Sequence, residues 1–243
     1  IDGQRGVEAD HQGIAIRQTL GQRIGTHVAA CTRLVVDDEG LLQPLAQLLA
    51  DAPRQQVAGA AGCGFHIHVS LQDAEGRNVF AAEDPAGTPL LRQAIAGLQA
   101  TMVESTAVFA PNANSFRRFR QNSYAPIAPS WGINNRSVSL RVPPGPPASR
   151  HVEHRPCGAD ANPYLAIAVV LEGMRHGLVN ALDPGPPVTG NGYEQPSASK
   201  LPTHWPLALE AAAESVFLRE ALSPAFLDLF LAVKRQECEK FNA

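Results

Sequence analysis

The sequence predicts an α+β fold, with strands that alternate polar and apolar residues lying beside long amphipathic helices. Three observations carry this expectation. Phe65, Ile67, Val69 and Leu71 alternate with His66, His68 and Ser70, the period of a strand with one buried face. Residues 151–155 repeat that period and set His151, Glu153 and Arg155 on one side. Leu90, Leu91, Ile95, Leu98, Met102 and Val103 recur at three-to-four spacing, the stripe of an amphipathic helix.

Along the chain, residues 1–36 hold neither period for long. Val7-Glu8-Ala9-Asp10-His11 carries groups able to ligate a metal, although such a polar run on a loop is more often solvated. Leu41, Leu45, Leu48 and Leu49 predict a helix over 41–52, ended by Pro53. A Gln-, Ala- and Gly-rich loop over 54–61 enters the first alternating strand through Gly62-Cys63-Gly64. Residues 72–78 are turn-rich, and Val79-Phe80 reads as the start of a short return strand.

The apolar stripe predicts a single helix over 89–109, stopped by Ala110-Pro111-Asn112. Residues 114–129 read as a proline-interrupted loop holding Arg117, Arg118 and Arg120, then Asn122, Ser123 and Tyr124. Residues 131–142 read as a turn and a strand. Arg136 and Arg141 are five apart, so a regular strand would set them on opposite faces unless a bulge or strand end re-aims one. Pro143-Pro144-Gly145-Pro146-Pro147 is a rigid connector to the second alternating strand. Asn162-Pro163 supplies a cap and a first-turn proline for a helix over 164–182. After a polar loop, two helices over 206–222 and 224–241 are separated at Ser223-Pro224.

At 243 residues the chain can bury a substantial core. Its 44% apolar and 18% charged residues are ordinary for a soluble globular protein. A net charge of −3 draws neither nucleic acid nor an anionic membrane. No run reaches the ~18 apolar residues of a membrane span, and the N-terminus lacks the apolar stretch of a signal peptide. Cys31, Cys63, Cys157 and Cys238 form no CxxC pair. They read as free thiols of a cytoplasmic protein rather than a disulfide or zinc framework.

Each polar cluster has a plain and a functional reading. His66, His68 and Ser70 are a wet strand face or a site wall. The arginines of 117–120 are a solvated cluster or an anion site, since guanidinium pairs bidentately with carboxylate and phosphate. His151, Glu153 and Arg155 are a surface ion pair of little energetic value or a metal ligand beside an anion binder. Together, imidazole and carboxylate suit a divalent cation and the arginines suit phosphate, the inventory of phosphoryl transfer. No phosphate-binding glycine loop of the Walker type is present.

The order of these blocks resembles the catalytic domain of glutamine synthetases. The resemblance rests on residues 62–71, on Asn114-Ser115-Phe116-Arg117-Arg118, and on Asn135-Arg136-Ser137 with Leu140-Arg141-Val142-Pro143. Glu153-His154-Arg155, Ala161-Asn162-Pro163-Tyr164-Leu165 and the closing 232–237 segment extend it over roughly residues 59–243. It implies a curved antiparallel sheet, part of a half-barrel, with helices packed outside. It also implies an ATP-dependent ligase that activates the γ-carboxylate of glutamate as γ-glutamyl phosphate for attack by an amine. By resemblance, His66 and Glu153 hold a Mg2+ or Mn2+ ion, and His68, Ser70, Arg136 and Arg141 bind ATP. Arg136 also lies near the transferred phosphoryl group, and Gly62, Arg118 and Arg155 bind glutamate. On these roles Glu153→Ala removes metal-dependent nucleotide binding and leaves the fold near intact.

Two departures from the family pattern shape the expected activity. Tyr124 stands where ammonia-using members carry a glutamate that binds ammonium. A tyrosine, neutral below ~10, suits an organic amine, and the wording around Tyr124-Ala125-Pro126 resembles γ-glutamylpolyamine synthetases. The family's small N-terminal β-grasp domain and its metal-ligating glutamates are not recognisable in residues 1–58, which read as a divergent segment. The chain is therefore expected to be a truncated catalytic domain with an incomplete first metal site. Family members form ring homo-oligomers, in which such a chain should assemble poorly. The alternatives are a non-catalytic remnant that binds nucleotide or glutamate, a glutamine synthetase proper, and, more weakly, a metal-dependent hydrolase using His66, His68 and Glu153.

Overall fold

The computed structural model describes residues 64–195 and 199–242, together with the backbone of two strands farther upstream. The expected helix over 41–52, the loop over 54–61, Val7–His11 and Gly62 lie outside the described residues.

The described strands form one six-stranded sheet. They are β1 (Ala15–Ile16), β2 (Cys31–Val36), β3 (Ile67–Gln72), β4 (Trp131–Ile133), β5 (Leu140–Val142) and β6 (Val152–His154). Their order across the sheet is β1-β2-β3-β6-β5-β4. Neighbours run antiparallel except β4 and β5, which are parallel. The sheet is thus mixed, and the sequence pattern carried no sign of the parallel pair. Trp131–Ile133, expected as a turn, is that edge strand, and β5 is shorter than the alternation over 136–142 suggested.

The alternation expected of β3 is realised. Ile67, Val69 and Leu71 are buried, while His68 and Ser70 are half-buried on the other face. Register then builds a row across three strands. His68 stands opposite Glu153 on β6, and Glu153 stands opposite Arg141 on β5. No return strand forms at 79–80. Asn78 makes a single bridge to Gln72, and its side chain accepts from Phe80 N–H while donating to the carbonyls of Ala148 and Arg150. Those bonds turn the backbone, and Phe80 enters the core.

The helical stripe over 89–109 divides in two: α1 (Pro89–Thr101) and α2 (Thr106–Phe109). Thr88 caps α1 by accepting from Leu91 N–H. At the break, the hydroxyls of Thr101, Ser105 and Thr106 each donate to the carbonyl four residues back. Such back-bonding competes with the helical ladder and bends it. Residues 113–118, expected as loop, form a 3-10 helix capped reciprocally by Asn112 and Ser115.

The next helix, α3 (Pro163–Val179), starts as expected, with Asn162 accepting from Tyr164 and Leu165 N–H. Its buried face is Ala166, Val169, Val170, Gly173, Met174 and Gly177, with Leu165, Leu171 and Leu178 partly buried against the core. The glycines set that face against α1. A Cβ at Gly97 of α1 would stand 2.1 Å from Gly173 O and 2.4 Å from Gly177 N. The two backbones meet directly there, and no side chain fits between them. Three helices close the described chain, not two: α4 (Trp205–Glu214), α5 (Val216–Leu222) and α6 (Pro224–Asn242). Ser215 makes the extra division by capping α5 at Leu218 N–H.

Candidate active site

Glu153 is the hub of the candidate site. β6 sits between β3 and β5, so its central residue is buried, with 4% of its surface exposed. Glu153 Oε1 lies 3.0 Å from His66 Nδ1 and 3.2 Å from Arg155 Nε. Glu153 Oε2 accepts from Arg141 Nη1 at 2.8 Å. The reading as a surface ion pair is therefore set aside: one buried carboxylate meets two guanidiniums and an imidazole.

Arg155 carries the hub outward. It is 5% exposed and donates through Nη1 to the carbonyls of Arg136 and Val138 and through Nη2 to Tyr124 O. Arg141 Nη2 reaches Asn134 Oδ1 at 2.9 Å, while Arg141 Nε is buried without a hydrogen-bond acceptor. An anion would satisfy such a donor. Arg118 ends the 3-10 helix, is 8% exposed and donates to Pro156 O at 2.8 Å. It sits beside the strand end that carries Arg155.

Arg136 lies in the turn before β5, so strand alternation does not govern it. Its exposed side chain lines a cleft of about 650 Å3 with Asn134, Pro187 and Thr189. His68 Nδ1 lies 2.9 Å from His151 Nε2, and His151 Nδ1 is 2.6 Å from Ser149 O. A carbonyl only accepts, so His151 Nδ1 carries the proton. Ser70 follows on the same face of β3. Tyr124 stands on the loop after the 3-10 helix with φ +58 and 67% of its surface exposed.

Burial alone would raise the Glu153 pKa. Hydrogen bonds from His66 and Arg141, with the charges of Arg155 and His66, overcome it and hold the group down at about 2. Behind the hub, burial lowers His154 to about 3, helped by the charge of His66. Its ring packs on Phe109 at 4.5 Å between centroids. Burial pushes the Cys157 thiol far up, so it is not a nucleophile.

These shifts make the fold acid-sensitive. His154 is neutral when folded and gains a proton when unfolded, so stability falls as pH drops from about 6.5 towards 3. Ionised Glu153 adds a loss from about 4.5 towards about 2. Stability from urea unfolding should fall by about 2 kcal/mol between pH 7 and pH 5. His154→Leu should remove most of that step, and a flat wild-type profile would contradict the assignment.

The residues present fit a divalent cation in part. Two donors about 2.1 Å from one octahedral ion stand about 3 Å apart, which matches the separation of His66 Nδ1 and Glu153 Oε1. They would supply two adjacent donors. Among the described residues no group of three or more His, Cys, Asp or Glu side chains converges to complete a set.

Comparison with known proteins decides the family. The glutamine synthetase catalytic domain matches residues 52–243. The chain belongs to the glutamine synthetase catalytic-domain family. Among its glutamine synthetase-type relatives, the gamma-glutamylputrescine synthetase PuuA of Escherichia coli (strain K12) is 39% identical over 213 residues, 85% of this chain and 45% of the relative. The gamma-glutamylethanolamide synthetase GlnA4 of Streptomyces coelicolor is 36% identical, covering 75% of this chain and 39% of the relative. The solved structure of apo GmaS without ligand superposes with a TM-score of 0.68 at 28% identity, over 76% of this chain and 43% of that one. The chain spans less than half the length of these proteins.

The site thus brings together His66, His68, Arg141, Glu153 and Arg155, with the backbone of Tyr124 and Arg136 attached through Arg155. Two contributors escaped sequence reasoning. Asn134 anchors Arg141 from a left-handed turn position, φ +47. Tyr193 donates to Ala125 O at 2.9 Å from a loop 68 residues downstream. No local pattern announces a contact of that range.

Proposed function

We propose that this site serves ATP-dependent formation of a γ-glutamyl amide from glutamate and an organic amine, with Mg2+ or Mn2+. The buried convergence of His66, Arg141 and Arg155 on Glu153 supports the ligase reading. A divalent ion on His66 and Glu153 would neutralise phosphate charge. Arg141 and Arg136 orient the ATP phosphates, with Arg136 placed on the open cleft, and His68 with Ser70 complete the nucleotide side. Arg118 and Arg155 hold the carboxylates of glutamate. The γ-carboxylate takes the terminal phosphoryl group of ATP, releasing ADP, and the amine nitrogen displaces phosphate.

One observation carries the preference for an organic amine. No Asp or Glu occurs between Glu104 and Glu153, so the exposed loop bearing Tyr124 has no carboxylate to hold ammonium. An exposed aromatic ring at Tyr124 suits contact with a larger ammonium group. The names of PuuA and GlnA4, a putrescine and an ethanolamine ligase product, point the same way. Cys157 is a buried free thiol, which fits a reducing, cytoplasmic setting. Among the described residues no helix is long and apolar enough to cross a membrane.

The test is ADP release with glutamate and Mg2+ or Mn2+ against ammonia, putrescine, spermidine and ethanolamine. Release should be fastest with one of the organic amines. Silence with every amine overturns the ligase reading, and fastest release with ammonia overturns the role of Tyr124. A charge-assisted hydrogen bond contributes about 1.5–3 kcal/mol. Tyr124→Glu should accordingly raise the relative preference for ammonia about tenfold or more, read from ratios of kcat/KM.

A further inference from the structure

We propose that Tyr193 is a positioning residue that sets the loop turn presenting Tyr124, and so governs amine selection from a distant segment. This rests on the ligase reading above. The phenol donates to Ala125 O at 2.9 Å. Ala125 follows Tyr124 directly, so the bond fixes the peptide on the far side of that residue.

The turn needs such a clamp. Asn122 and Tyr124 both adopt left-handed backbone, φ +59 and +58, where a side chain crowds its own peptide. A non-glycine residue stays there only when its surroundings over-determine it. Tyr193 engages the carbonyl of Ala125 at 2.9 Å, and Arg155 Nη2 engages that of Tyr124 at 3.4 Å. Two successive carbonyls of the turn are held, one of them by the guanidinium that also touches Glu153.

The Tyr193 loop is itself anchored. Tyr193 N–H donates to Asn191 Oδ1, and Gly192 N–H donates to Ser137 Oγ at 2.7 Å. Asn135 Nδ2 reaches the carbonyls of Val188 and Gly190. The loop thus rests on the same crossover that carries Arg136, and Tyr193 reaches from that base to the Tyr124 turn. Removing the hydroxyl frees the turn without touching Glu153, Arg141 or His66.

Tyr193→Phe keeps the ring and deletes the clamp. Hydrogen exchange at the Tyr124 and Ala125 amides should speed up at least tenfold, with core helices unchanged. KM for the preferred amine should rise about tenfold, while KM for ATP stays within twofold. Unchanged exchange in the loop overturns the clamp. Faster exchange with an unchanged amine KM overturns its role in selection. The exchange readout needs no turnover, so a chain that releases no ADP with any amine overturns the ligase reading while the clamp is still judged.

Discussion

Glu153→Ala is expected to cost about 3–5 kcal/mol of folding stability, seen as a lowered urea midpoint with an unchanged slope. The sequence alone suggested a fold left near intact. Burial reverses that expectation, because the carboxylate holds Arg141, Arg155 and His66 together. Its removal leaves Arg155, 5% exposed, without its counter-charge. Breaking one partner of a buried ion pair is costly even where the pair as a whole adds little. Glu153→Gln keeps the shape and two hydrogen-bonding atoms, so it should lose less stability while still losing the charge that a cation needs. Stability within 1 kcal/mol of wild type for the alanine variant would show that the hub is hydrated rather than sealed.

Gly97→Ala is expected to destabilise by about 3 kcal/mol, at the upper end of what overpacking a core usually costs. The added methyl would stand 2.1 Å from Gly173 O and 2.4 Å from Gly177 N. Both are backbone atoms of α3, so no side chain can swing away. Alanine normally favours a helix over glycine by about 1 kcal/mol, and the sign here should be opposite. Gly177→Ala should act alike, its Cβ falling 2.0 Å from Gln93 O and 2.6 Å from Gly97 N. By contrast, Gly76→Ala meets nothing within 4 Å, and only its φ of +80 resists the change. Thermal unfolding of the three variants should separate crowding from backbone strain. Equal losses would mean that the helices part easily at Gly97.

What was legible in the sequence depended on range. Period-two alternation located β3 and assigned His68 and Ser70 to one face, because strand side chains alternate whatever the partners are. Caps were legible too: Asn162 and Pro163 announced α3. The glycine contact face of α3 was not legible, because glycine adds no apolar side chain to a stripe. The close approach of α1 sets it, and that lies in tertiary packing. The parallel β4–β5 pair was hidden for the same reason, being only three residues long on each side. In the candidate site, residue types and order suggested Glu153, His66 and the arginines through family resemblance. Their meeting on one buried carboxylate needed the register of β6 between β3 and β5. Tyr193 and Asn134 act through a carbonyl and a guanidinium distant in sequence, and nothing in their neighbourhood marks them.

The loop that supports Tyr193 also shields the sheet from other chains. Among the described residues β4 is the last strand on its side, and an uncovered rim of peptide groups can recruit a foreign strand. Val188 N–H donates to Trp131 O at 2.8 Å, and the Trp131 indole N–H donates to Gly185 O at 3.1 Å. The carbonyl that would start such a pairing is already occupied from within the chain. Shortening the loop would therefore favour self-association through β4 before it disturbed the core.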